Sequence, residues 1–333
     1  MNNSPSTSST FHIVNHVKDW QQHNAQERRD KLSSNLDQAA ERDLEKAAER
    51  FIPSSQLLNA INASLAARVP LLLTGEPGTG KTQVAWYLKR FFEIPLYAYQ
   101  VHSNSQANDL RYDFDAVAYL RDAYLGQQAE PSQENVQKTA QETPTTQDPR
   151  SNPRYLKKAT LWKAYENKGE CILLIDEIDK APRDFPNDLL QEIDQHRFEH
   201  PFQQGEYIER PANNAPPLTI ITSNGERRLP DAFLRRCMVH HISLNKELLR
   251  DILNAWKIQF PNLNEETREI ALQHFETIRE ISRLSKRPGT AELLLWLSVL
   301  SAQDIKASAL NVETQKLPAL ECLIKDHDDY QYL

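Results

Sequence analysis

The octapeptide Gly75-Glu76-Pro77-Gly78-Thr79-Gly80-Lys81-Thr82 constrains this chain more than any other stretch, and it holds three of the chain's eight glycines. Before it stands the short apolar run Pro70-Leu71-Leu72-Leu73-Thr74, which reads as a strand. After it, Thr82–Phe92 carries a helical pattern. Glycines let the backbone between strand and helix curl so that successive N–H groups point inward. The helix start adds its partial positive charge at the same place. Such a turn cradles phosphate oxygens. The spacing G-x-x-x-x-G-K-[ST] lets Lys81 reach β- and γ-phosphates and offers the Thr82 hydroxyl to Mg²⁺. The expected ligands are therefore ATP and Mg²⁺. A chance match in an ordinary strand–turn–helix is the competing reading, and a downstream acidic pair argues against it.

That pair closes the apolar run Cys171-Ile-Leu-Leu-Ile175 with Asp176 and Glu177. Open parallel sheets bind ligands at the carboxyl ends of their strands. Asp176 can hold Mg²⁺ there, directly or through water. Glu177 can orient and polarise an attacking water. The structural alternative is a cap and first-turn acid for the next helix. Asp179 and Lys180 read as helix-start charges rather than catalysts.

The 333 residues suit two domains, or one large α/β domain with an appendage. A 39% hydrophobic share is enough for a core, and the formal charge of −7 argues against a protein built to coat nucleic acid. Cys171, Cys237 and Cys322 are too sparse for a disulfide framework or a metal knuckle. Cys171 reads as core. The polar start MNNSPSTSST is not the pattern of a signal peptide, and no apolar run approaches a membrane span. A reducing cytoplasm is the expected setting.

Residues 1–50 form a polar extension whose second half is rich in helix formers, either a solvated helix or a partner-binding arm. Further strands are expected at Ile94–Val101, Leu218–Thr222 and Val239–Leu244. Helices between apolar strands imply a parallel sheet. Leu110–Leu125 alternates aromatic and polar residues and reads as a hairpin. The stretch 127–153 carries four prolines among Gln, Glu, Thr and Ser and reads as a flexible insertion. From 245 to 333 the pattern is helical, at Lys246–Phe260, Glu265–Ile281 and Thr290–Ser301.

Three further polar groups would complete a nucleotide-driven machine. Asn224 ends the apolar run 218–222 and is either near the γ-phosphate or a turn residue before Gly225. Arg235 and Arg236 either pair locally or reach a neighbouring subunit's nucleotide. Lys286 and Arg287 either fold onto phosphates or belong to a solvated loop.

The order GEPGTGKT, LLIDEIDKAP, TIITSNGERRLPDAFLRRC, KRPGTAELLLWL resembles the AAA+ ATPases. Within them it is similar to the MoxR-like group, in particular the branch of the ATPase encoded with carbon monoxide dehydrogenase maturation genes. The resemblance spans roughly Phe51 to Asp328. It implies a five-stranded parallel αβα sandwich of order 5-1-4-3-2 over residues 51–244, with a hairpin near 102–120 inserted in the second helix, and a helical lid over 245–333. It also implies a nucleotide set of Gly75, Glu76, Pro77, Gly78, Thr79, Gly80, Lys81, Thr82 and Gln83. Thr82 and Asp176 fall on the metal positions, Glu177 on the Walker B glutamate and Asn224 on sensor 1. Arg235 or Arg236 falls on the arginine finger, with Arg236 preferred. Lys286 or Arg287 falls on sensor 2. The implied assembly is a ring, commonly hexameric, with ATP between subunits.

The leading expectation is a chaperone-like remodelling ATPase whose partner is a protein client or a von Willebrand factor A-domain protein. A nucleotide-gated switch in a defence or signalling assembly is the alternative. A nucleic-acid motor ranks third, because the chain is acidic and shows no basic motif.

Overall fold

A computed structural model of the chain describes residues 47–128, 150, 152, 154–211 and 215–333. The polar extension before residue 47 and most of the 127–153 insertion lie outside the described residues. Two compact units divide the chain. One joins Ser55–Gly75 to Ala85–His241; the other joins the described residues 47–54 to Glu76–Val84 and Ile242–Leu333.

The first unit is built on a five-stranded parallel sheet. Its strands are β1 (Leu71–Thr74), β2 (Leu96–Gln100), β5 (Ile172–Asp176), β8 (Leu218–Ser223) and β9 (Met238–His241). Their spatial order is β2-β5-β8-β1-β9, which is the expected 5-1-4-3-2 arrangement read from the other edge. The interior strands are the ones with continuous apolar runs: every residue of β5 is buried, as are Leu71, Leu72 and Leu73 of β1. On the edge strands β2 and β9 burial relaxes, and Val239 is exposed. Strands covered on both faces need apolar residues throughout, whereas edge strands do not. Helices α1 (Ser55–Ala67) and α3 (Thr160–Glu166) belong to this unit, and α2 (Lys81–Phe92) follows the glycine-rich loop. The core joins Leu72, Leu173, Ile175 and Ile221 of the sheet to Trp162, Tyr165, Phe185 and Phe233.

Two small sheets complete this unit. Residues 110–125, expected as a hairpin, instead end a short helix (Ala107–Arg111), form β3 (Tyr112–Phe114) and enter a helix (Ala116–Gln128). The partner of β3 is β4 (Leu156–Lys158), on the far side of the insertion. A local alternation pattern cannot distinguish a neighbouring partner from a distant one. The second pair, β6 (Arg197–Glu199) with β7 (Tyr207–Glu209), has no counterpart in the sequence reading. Gly205 turns between them at φ +80°.

In the second unit, α4 (Lys246–Trp256), α5 (Glu265–Glu280) and α6 (Thr290–Ala302) form the all-α region. Asn245 Oδ1 accepts from Leu248 N and Asn264 Oδ1 from Thr267 N, each at 2.8 Å, so two of these helices open on a side-chain cap. Leu249, Phe260, Phe275, Leu293, Trp296 and Leu323 share the core. The Trp296 indole N–H is satisfied by Pro318 O at 2.8 Å.

Candidate nucleotide site

The glycine-rich loop has the backbone its composition calls for. Gly75, Gly78 and Gly80 take φ +146°, +74° and +86°, a region that L side chains rarely enter. Lys81 Nζ curls back to Glu76 O at 2.8 Å, and Thr79 Oγ1 donates to the same carbonyl at 2.9 Å. The Lys81 residue is only 6% exposed, so the loop wraps its own lysine. Donors gathered in a tight curl fit a nucleotide triphosphate. The Thr82 hydroxyl is a hard oxygen of the kind that suits Mg²⁺, a metal that takes one or two protein ligands and keeps its waters. Among the described residues no group of three or more His, Cys, Asp or Glu is placed to hold a metal.

The strand ends of the first unit carry the acidic pair. Register places Gln100 beside Asp176 at the carboxyl ends of β2 and β5. The chain then turns at Glu177, whose φ of +58° and ψ of +52° lie in the left-handed region. A non-glycine residue there costs about 1–2 kcal/mol and persists only where its surroundings hold it. They do: Glu177 N donates to Thr222 Oγ1 at 2.8 Å, and Thr222 Oγ1 donates to Asp176 Oδ1 at 2.6 Å. One buried threonine thus fixes both acids.

The Glu177 carboxylate is shared among three donors. Asn224 Nδ2 reaches Oε1 at 3.0 Å, and Gln100 Nε2 and Lys180 Nζ each reach Oε2 at 2.5 Å. The hydrogen bond to Glu177 pushes the Lys180 ammonium pKa up. Buried Asp179 accepts from Asn224 N at 3.2 Å and Glu226 N at 2.8 Å, and so pins the loop that carries Asn224. Gln100 and Thr222 escaped sequence reasoning, because only the strand register reveals their neighbours.

The two arginines differ. Arg236, preferred from sequence, is anchored within its own chain, with Nε on Asp194 Oδ2 at 2.5 Å and Nη1 on Ala232 O at 2.9 Å. Arg235 is exposed, and its side chain has no hydrogen bond or ion pair among the described residues. In the second unit, Lys286 and Arg287 are likewise exposed with no side-chain partner among the described residues. The lid cation bonded to the loop is Arg279, whose Nη2 donates to Glu76 Oε2 at 2.8 Å.

A parallel sheet buried on both faces with a glycine-rich loop after its first strand, acids at the end of β5 and a separate all-α region define a P-loop ATPase of the AAA+ class. The family model described as AAA domain (dynein-related subfamily) matches residues 70–237, just over half of the chain. The chain belongs to this family, a family of ATPases. Among curated proteins no sequence matches. Solved structures similar to the chain include a candidate ATPase from Cytophaga hutchinsonii, at 13% identity and TM-score 0.38, over 82% of this chain and 79% of that one. NtrX from Brucella abortus in complex with ADP is another, at 14% identity and TM-score 0.34, over 90% of this chain and 59% of NtrX. The chain thus spans less than two thirds of NtrX. Among the described residues no helix is long and apolar enough to cross a membrane.

Proposed function

We propose that the chain binds and hydrolyses Mg·ATP and uses the cycle to remodel a partner protein, as a subunit of a ring of the MoxR-like kind. The observation that carries this reading is Glu177 at a strand end, its carboxylate held by Asn224 and its backbone N–H joined through the Thr222 hydroxyl to Asp176. When bound, Mg·ATP supplies the phosphoanhydride bond, with the metal offsetting its charge. The loop from Gly75 to Gln83 binds the phosphates, Lys81 supplies a positive charge to them, and Thr82 and Asp176 offer oxygens to the metal. Glu177 accepts a proton from the attacking water while Asn224 fixes its orientation. Arg235, exposed and without a side-chain partner among the described residues, reaches a neighbouring subunit, and Arg236 secures the turn that presents it. By resemblance to the MoxR-like group the client is a protein, such as one with a von Willebrand factor A domain, and the sparse cysteines fit a reducing cytoplasm.

One observation favours a second reading. Gln100 and Lys180 both occupy Glu177 Oε2, and a base so engaged turns over slowly until it is released. A nucleotide-gated switch would show this behaviour. The test is the molar mass of Glu177→Gln in solution with and without Mg-ATP, alongside turnover of the wild type. A nucleotide-dependent ring with multiple turnover supports the remodeller. A monomer that holds ATP without turnover favours the switch.

A further inference from the structure

The glycine-rich loop, Glu76–Val84, belongs to the same compact unit as the all-α region. Specific contacts join the two. The Arg279 guanidinium donates to Glu76 Oε2 at 2.8 Å, donates to Pro288 O, and lies over the Phe275 ring at 5.9 Å. Its side chain is 15% exposed and that of Glu76 40%. Ala291 N donates to Gly78 O at 3.3 Å. Gly289 is packed still closer: a Cβ there would lie 2.6 Å from Pro77 O and 3.1 Å from Gly78 Cα. The φ of Gly289 is −98°, open to any residue, so glycine is required for space and not for conformation. The start of α6 therefore lies directly on the loop, and Arg279 ties the loop's first side chain to the turn that precedes that helix.

We propose that Arg279 is the positioning residue through which the all-α region sets the shape of the phosphate loop, with Glu76 as its partner and Gly289 as the point of close approach, so that this contact governs nucleotide affinity and release rather than the chemical step. The inference rests on the reading that the loop binds nucleotide. A loop held in its binding shape has less to lose when ligand arrives. Apparent affinity scales with the fraction of molecules already in that shape. Lys81 and Thr79 both bond to Glu76 O, so a Glu76 released from Arg279 loosens the curl that presents the lysine. Bond cleavage is assigned to Glu177 and Asn224, which belong to the other unit.

The experiment measures binding and release of a fluorescent ADP analogue by the full chain, together with steady-state turnover and thermal melts. The variants are Arg279→Gln, Glu76→Gln, their double variant and Gly289→Ala, with Lys81→Ala as the control that removes phosphate binding. Arg279→Gln is expected to raise KM and the ADP release rate about tenfold, the scale of one charge-assisted hydrogen bond, with kcat held within about twofold. Gly289→Ala is expected to do the same without altering any charge. The double variant should lose no more than either single change. A fall in kcat with KM unchanged, or additive losses, would overturn the proposal. So would a Gly289→Ala protein that folds and binds as the wild type does, a result that stays decisive even if Arg279→Gln fails to fold. Wild-type protein that binds no nucleotide would overturn the reading of the loop and this inference with it. Wild-type binding with an unaffected Arg279→Gln would overturn the inference alone.

Discussion

Asn224 Nδ2 donates to Glu177 Oε1 at 3.0 Å, and Gln100 Nε2 donates to the other oxygen, Oε2, at 2.5 Å. The two amides approach one carboxylate from different places, one just past the end of β8 and one at the last residue of β2. Asn224 orients the base, so Asn224→Ala should lower kcat about 10–100-fold while nucleotide affinity holds. Gln100 withholds an oxygen from solvent, so Gln100→Ala should leave basal turnover equal to or above wild type. Single-turnover ATPase assays with parallel binding titrations separate the two. Equal losses from both variants would mean that the amides serve one shared structural role.

Thr222 carries a different burden. It is fully buried, accepts from the Glu177 N–H and donates to Asp176. Thr222→Val keeps the shape and removes both bonds. Each orphaned buried partner costs about 1–3 kcal/mol, so chemical denaturation should show a loss of at least that size. Glu177 would also lose what holds it in the left-handed region. Turnover per folded molecule should therefore fall as well, and a higher Mg²⁺ concentration should be needed for half-maximal activity.

Arg210 offers a test of the fold that spares the chemistry. Its residue is 8% exposed, and its guanidinium donates to four carbonyls: Ala215 and Ala164 at 2.8 Å, Asn167 at 2.6 Å and Gly169 at 2.5 Å. Three of these lie at or just beyond the C-terminus of α3, where a cation meets the negative end of the helix dipole. Arg210→Met removes all four of these bonds, leaving Gly169 O with Asn167 Nδ2 and Ala164 O with Cys171 Sγ, and should cost about 3 kcal/mol in urea unfolding. Nucleotide affinity of the folded fraction should stay at the wild-type value.

How far the sequence led is clearest at particular residues. β5 was legible because a buried parallel strand must be apolar throughout, and CILLI can be little else. The tight turn at Gly75, Gly78 and Gly80 was legible because glycine alone takes such backbone angles readily between a strand and a helix. The spatial order of the strands came from family resemblance, since periodicity carries no information about which strands adjoin. Contacts distant in sequence stayed hidden. Arg279 meets Glu76 across 203 positions, and β3 finds β4 across the insertion. The left-handed turn at Glu177 had no signal either, because local propensity favours glycine or asparagine there. The choice between Arg235 and Arg236 turns on Asp194, which no motif includes.

Stability should fall on mild acidification. Burial pushes the His196 imidazole down, opposed by Asp194 and aided by Arg210. Burial also pushes His200 and His240 down. A base with a depressed folded pKa binds its proton more readily in the unfolded chain. Its contribution is therefore whole above the ordinary value of 6.5 and is lost as pH falls through 6.5 toward the folded value. Thermal melts from about pH 8 to about pH 5.5 should show Tm dropping over the lower part of that range. His196 takes φ +51°, which asparagine tolerates. His196→Asn should flatten part of the drop, and an unchanged profile would acquit this imidazole.

Arg235, exposed and without a side-chain partner among the described residues, makes a prediction about mixtures. If it serves the neighbouring subunit's nucleotide, an Arg235→Ala protein keeps its phosphate loop but fails to help its neighbour. A Lys81→Ala protein loses its own site but still offers Arg235. Each alone should be inactive, since a trans-acting arginine is worth about 10³–10⁵ in rate. Mixed before assembly, the two should recover part of the wild-type turnover, at the interfaces where an intact loop meets an intact arginine. Arg236→Ala should behave otherwise. Its bonds to Asp194 and Ala232 O are internal, so its deficit should appear in the protein that carries it, as lost stability and a displaced Arg235. No recovery from the Lys81→Ala and Arg235→Ala mixture, with both proteins folded, would place Arg235 outside the shared site and turn attention from ring assembly to action by a single chain.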